Sequence, residues 1–78
     1  MTTDPLTLVL DVFAEVVGEP APNGAATTPD DVERWTSLKH VHLVYELESR
    51  SGCALPENLL MGCETLGDLV DALRSVTA

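Results

Sequence analysis

Along the first eighteen positions, apolar residues recur with a helical period rather than a strand period. Leu6, Val9, Leu10, Phe13 and Val17 fall at i, i+3, i+4, i+7 and i+11, which is one stripe of a helix. Asp11 and Glu15 belong to the opposite face, while Leu8, Val12 and Val16 widen the apolar surface, so this helix is expected to be well covered. Asp4 and Pro5 suit its cap and first residue. The carboxylate can accept from a free N–H of the first turn, and proline has no N–H to leave unpaired. Gly18 is the expected stop.

A second run predicts a helix from about Ser37 to Ser51. Thr36 is placed to cap it, and Gly52 suits the left-handed residue that ends it. Its apolar positions are Val41, Leu43, Val44 and Leu47, with Leu38 and Tyr45 expected to be more exposed. Between Cys53 and Cys63, Pro56-Glu57-Asn58-Leu59-Leu60 allows a short third helix that starts at Pro56 and breaks at Gly62. Thr65-Leu66-Gly67-Asp68 then matches a capping box. Leu66, Leu69, Val70 and Leu73 repeat at i, i+3, i+4 and i+7, which predicts a last amphipathic helix. Nothing alternates with period two over a useful length, so no sheet is expected.

The first two helices are joined by a long connection, Gly18 to Trp35, containing Pro20, Pro22, Gly24 and Pro29. Loops beyond about 12–15 residues usually carry function, move, or contain a short element. Thr28-Pro29-Asp30-Asp31 has a cap, a proline and two acids in the order of a helix start, and predicts a turn or two running through Val32 to Arg34. Trp35 is either a staple that ties this loop to the core or a direct contact for a partner beside Ser37. The pattern as a whole predicts an all-α protein, a small four-helix bundle with three main helices, a short third helix and a long first loop. Residues 1–78 are read as a single domain.

Charge narrows the partners. The chain has 13 acidic and 4 basic residues and a net charge of −9. Nucleic acid is excluded, since phosphates would repel it, whereas basic protein partners and coenzyme A enzymes are compatible. Solubility alone is the plainer explanation of such a charge. The start, with Thr3-Asp4-Pro5 and no basic region, does not read as a signal peptide. No apolar run approaches the ~18 residues that would span a bilayer. A cytoplasmic location follows as the expectation, and with it free thiols at Cys53 and Cys63.

An enzyme would need a nucleophile, a base and a stabiliser. The candidate set is Cys53 or Cys63 with His40 or His42. The two histidines are two positions apart, so they point to different sides of one helix, and no third group orients either. Each reads as a satisfied or a solvated histidine. No Cys-x-x-Cys or His-x3-His pair offers zinc its close ligands, so no metal is expected.

One stretch carries more chemistry than the rest: Trp35-Thr36-Ser37-Leu38. Thr36 as cap puts Ser37 in the first helical turn, with its hydroxyl at the positive end of the helix dipole. Unpaired N–H groups and the dipole both favour a bound or attached phosphate there.

This stretch resembles the attachment site of acyl carrier proteins, whose signature Asp-Ser-Leu opens the second helix of a small acidic bundle. The resemblance extends through Leu43-Val44, Leu47-Glu48, Gly52, Leu55-Pro56 and Leu66-Gly67-Asp68-Leu69-Val70-Asp71. Thr36 stands where the family usually has Asp, and Ser51 where it often has an aromatic residue. The resemblance implies 4′-phosphopantetheine on Ser37, transferred from coenzyme A by a phosphopantetheinyl transferase. It implies a non-catalytic, monomeric, standalone carrier served by an acyl- or aminoacyl-loading enzyme and by a downstream synthase or transferase. It also implies partner recognition by the outer side of the second helix, here Thr36, Leu38, Lys39, Val41, His42, Tyr45, Glu46 and Glu48. Lys39 and His42 fall where fatty-acid carriers often have acids, which points to a dedicated specialised pathway of polyketide or nonribosomal peptide type. Two alternatives stand beside this reading. One is an aminoacyl or peptidyl carrier, whose usual Gly-Gly-x-Ser is missing here. The other is an unmodified carrier-like adaptor.

Overall fold

The computed structural model describes residues 4–77. The expectations about the extreme N-terminus, and the outer limits of the 1–78 domain, lie outside the described residues. Four α-helices, α1 (Pro5–Val17), α2 (Ser37–Ser51), α3 (Glu57–Leu60) and α4 (Leu66–Thr77), form an all-helical bundle without strands among the described residues. Two 3₁₀ turns, Gly24–Ala26 and Pro29–Asp31, lie in the first loop.

Local chemistry sets the ends of the long helices. The Asp4 carboxylate accepts from the Thr7 N–H at 3.3 Å, and Gly18 closes α1 at φ 94° with its N–H on the Ala14 carbonyl. Gly52 closes α2 in the same left-handed way at φ 72°. At α4 the Asp68 carboxylate folds back to accept from the Glu64 and Thr65 N–H groups, at 2.9 and 3.3 Å. Pro56 is the cap residue of α3 rather than its first residue, because its extended backbone still belongs to the preceding loop.

α1 packs against both α2 and α4. Its buried line is therefore Val9, Val12, Phe13, Val16 and Val17. Leu6 and Leu10, expected as members of the stripe, are only partly buried and pack against its margin. A helix covered from two directions buries the line midway between its partners. Opposite it lie Leu43, Val44 and Leu47 of α2 and Leu66, Leu69, Val70 and Leu73 of α4, all buried. Each such side chain contributes roughly 1.5–3 kcal/mol relative to exposure, which is how helices too short to persist alone become stable together. Arg50 of α2 pairs with Glu15 of α1 and with Glu46 one turn back, closing the seam from outside.

The long loop is packed rather than free. Thr27 is fully buried; its hydroxyl accepts from the Asn23 N–H at 3.0 Å and its carbonyl from the Leu66 N–H at 3.1 Å, which fastens the loop to the start of α4. Gly67 allows this approach, since a Cβ there would lie 3.2 Å from the Ala25 carbonyl oxygen. The expected turn through Arg34 is shorter and stops at Asp31. Val32 is extended and drives its side chain into the core, where it is 1% exposed. Among the described residues, no helix is long and apolar enough to cross a membrane.

Candidate functional site

The Thr36 hydroxyl accepts from the Lys39 N–H at 3.3 Å, so Thr36 caps α2 and Ser37 is its first residue. Ser37 is exposed, and Leu38 beside it is 78% exposed. A phosphate ester at Ser37 would sit at the free N–H end of a helix fifteen residues long, where the aligned backbone dipoles favour negative charge. The accessible hydroxyl and the capped turn fit a phosphate-linked group.

Ser37 opens onto a cleft of about 380 Å³. Trp35 and Pro29 of the preceding loop, His40 and Val41 of α2, and Met61 and Cys63 beyond α3 line it. Trp35 is 5% exposed and packs edge-on against Phe13, ring centroids 5.2 Å apart. Burial supports the staple reading of this residue, although it also walls the cleft.

His40 is 6% exposed. Its Nδ1 accepts from the Trp35 indole N–H at 3.3 Å, and its other ring nitrogen bonds the Leu59 carbonyl. An indole N–H only donates and a carbonyl only accepts, so the ring proton sits on Nε2. His40 is thus the satisfied histidine of the pair, while His42 is exposed, 4.0 Å from Glu46. The sequence carried a signal for this that the reading of α2 passed over. His40 stands at i in the run i+3, i+4, i+7 formed by Leu43, Val44 and Leu47. It occupies a core position of the helix.

Cys63 shares the cleft with His40, yet the two do not make a nucleophile and base. Both ring nitrogens of His40 are engaged. Burial, with the nearby Asp68 carboxylate adding to it, pushes the Cys63 thiol up from its ordinary value of 9.0 to about 11. Both cysteines are free thiols, and neither is fully buried. Both lie in loops at the edge of the bundle, where each is half-buried. No cluster of His, Cys, Asp and Glu among the described residues could hold a metal ion.

The residues expected to face partners divide into three groups. Leu38, Lys39, Val41, His42 and Tyr45 line one shallow apolar depression on the outer side of α2. Thr36 lies apart from them, in the Ser37 cleft. Glu46 is half-buried and bonds Arg50, and Glu48 is half-buried with its carboxylate accepting from the Leu55 N–H at 2.8 Å, so both act as ties within the fold. Met61, 89% exposed on the rim of the Ser37 cleft, carried no sequence signal, since it follows a helix too short to show a period. The Asp31 carboxylate, close in sequence to the missing acid at position 36, is occupied. Its bond from the Thr28 N–H, and then that from Asn23, hold it below the usual carboxylate range.

The family model for the phosphopantetheine attachment site matches residues 7–73. No curated protein and no solved structure matches the chain. A match running from the first turn of α1 to Leu73 of α4, over a helical bundle that presents a capped serine at the start of its second helix, places the chain in the phosphopantetheine-attachment family, whose members are carrier domains that bear covalent 4′-phosphopantetheine and are served by separate enzymes.

Proposed function

We propose that this chain is one carrier domain that bears its phosphopantetheine arm on Ser37 and presents acyl intermediates to the enzymes of a dedicated specialised pathway. The observation that carries the reading is the exposed Ser37 hydroxyl at the first residue of α2, in a chain whose family bears this group. The arm supplies a terminal thiol that holds cargo as a thioester. Thr36 caps the first turn and fixes Ser37 at its start, and the remaining N–H groups at that end of α2 stabilise the phosphate ester. Tethering then raises the cargo concentration at a docked enzyme to roughly the millimolar range.

Charge and apolar surface around Ser37 support the pathway assignment. The chain is acidic overall, but Lys39 follows Ser37 by two residues and His42 by five, and Tyr45 is 58% exposed on the same side. An enzyme with a basic docking patch meets like charge here, which slows encounter and excludes the wrong partner. An exposed aromatic favours a more apolar contact. The partners are a phosphopantetheinyl transferase, a loading enzyme for acyl groups and a downstream synthase, all in the cytoplasm, with the carrier acting as a monomer.

Intact mass after incubation with a broad-specificity transferase and coenzyme A tests the attachment. One phosphopantetheine should add to the wild type and none to Ser37→Ala, with the circular dichroism spectrum unchanged. Labelling of the Ala variant would move the site elsewhere. No labelling of the wild type would favour the unmodified adaptor. For the pathway, a fatty-acid ketosynthase should elongate the acyl form of this carrier poorly, and Lys39→Glu should raise that cross-reaction. Equal elongation of this carrier and a fatty-acid carrier removes the charge argument.

A further inference from the structure

Helix α2 carries a second stripe that the fold leaves uncovered. Leu38, Val41, His42 and Tyr45 stand at i, i+3, i+4 and i+7, so they share one side of the helix. With Lys39 they line an open apolar depression of about 390 Å³. Leu38 and Tyr45 are exposed there, whereas the inner stripe of the same helix is buried. Val41 also lines the Ser37 cleft, so depression and cleft share a wall. An apolar surface that the fold does not cover is the ordinary mark of a contact with another molecule.

The charge at its edge runs against that of the chain. Among 13 acids and four basic residues, Arg34 pairs with Glu19, and Arg50 with Glu15 and Glu46. Lys39 has no carboxylate in ion-pair range among the described residues. Glu46, 4.0 Å from His42, is itself tied to Arg50. At physiological salt, exposed charges more than ~8 Å away are largely screened. A side chain docking in the depression therefore meets Lys39 rather than the net charge of −9.

We propose that the depression receives an apolar side chain of a partner enzyme, and that a carboxylate beside it on the enzyme pairs with Lys39. That the occupant is an enzyme rests on Ser37 as the attachment residue, since the shared wall at Val41 seats it next to that hydroxyl. A basic partner would set its cation against Lys39. A wholly apolar one would cover the ammonium without pairing it, which costs more than leaving it in water. An apolar group flanked by an acid fills the depression and satisfies the cation together.

Two synthetic amphipathic helical peptides test this. Both carry the same leucine and phenylalanine stripe, flanked by glutamates in one and by lysines in the other. Each is titrated into the full chain, labelled with nitrogen-15, at about 0.15 M salt. The glutamate-flanked peptide should shift the amide resonances of Leu38 to Tyr45 and bind there about fivefold or more tightly than the lysine-flanked one. Lys39→Glu should reverse the order. Tighter binding of the lysine-flanked peptide at these residues, or no shift there with either, would overturn the proposal. A shift of the same resonances with protein concentration alone would assign the depression to a second copy of the chain and would also overturn it. Absence of the arm from Ser37, read by intact mass, would overturn the carrier reading and with it the enzyme as occupant. Failure of the glutamate preference on a protein modified at Ser37 would overturn this inference alone.

Discussion

On the inner side of α2, His40, Leu43, Val44 and Leu47 are 6% exposed or less; on the outer side, Leu38 and Tyr45 are 78% and 58% exposed. The inner side also commits its polar groups. His40 holds Trp35 and Leu59, and Glu48 holds the Leu55 N–H at the inner flank. The outer side leaves apolar atoms in water and offers Lys39 and His42 few competing ties. One helix thus joins a surface whose every group is assigned to the fold with a surface that the fold does not need. The same residue type serves both: His40 is structure, and His42, two positions later, is rim.

The widest test of this contrast is a pair of leucine truncations. Leu43→Ala should destabilise the domain by about 2–5 kcal/mol, since it opens a cavity in a fully buried site. Leu38→Ala should change stability by less than about 0.5 kcal/mol while slowing modification of Ser37. Thermal unfolding and transferase kinetics on the two proteins read both effects. Equal stability losses would erase the distinction between the sides.

The histidines sharpen it. His40→Ala strands the buried indole N–H and the Leu59 carbonyl, and each unsatisfied group costs about 1–3 kcal/mol. His42→Ala should stay within about 0.5 kcal/mol of the wild type. Chemical denaturation with unchanged slopes would measure both. A His40 variant as stable as the His42 variant would show that the Trp35 and Leu59 bonds contribute nothing net.

A smaller effect is expected at Cys63, beside the inner wall. Its thiol is raised to about 11, so the fold favours the neutral form. The stabilisation is complete below the ordinary value near 9.0 and is lost as pH rises through about 11. Below that range a thiol reagent should label native Cys63 slowly and the denatured chain quickly. Rapid native labelling at neutral pH would contradict it.

The smallest change expected is Thr36→Asp. Both residues cap well, so stability should move by a few tenths of a kcal/mol. If a carboxylate before Ser37 assists the transferase, this variant should be modified faster. Equal initial rates would make Thr36 a full substitute.

Most of the fold was legible because its cues are local. Asp4 with Pro5, Thr36, Gly18, Gly52 and Asp68 each act within four residues of their own position. Leu66, Leu69, Val70 and Leu73 declare their face by spacing alone. The placing of Ser37 at the start of α2 was legible for the same reason, since a cap and the residue after it are neighbours in the chain. The cleft was not legible. Its walls come from the first loop, α2 and the segment after α3, and nothing in the spacing of Met61 or Cys63 relates them to Ser37.

By itself, then, the sequence determined where the helices begin and end, which residues share a face, the acid excess of the chain and the placing of Ser37 at a helix start. Tertiary structure decided the rest. It selected Val9, Val12, Phe13 and Val16 over Leu6 and Leu10 as the buried line of α1. It pinned the long loop to α4 through Thr27, paired His40 with a carbonyl nineteen positions away and paired Arg50 with an acid thirty-five positions away. A helical period fixes which side chains point the same way, but what they meet depends on segments brought in from far along the chain. Only the packed bundle supplies those partners.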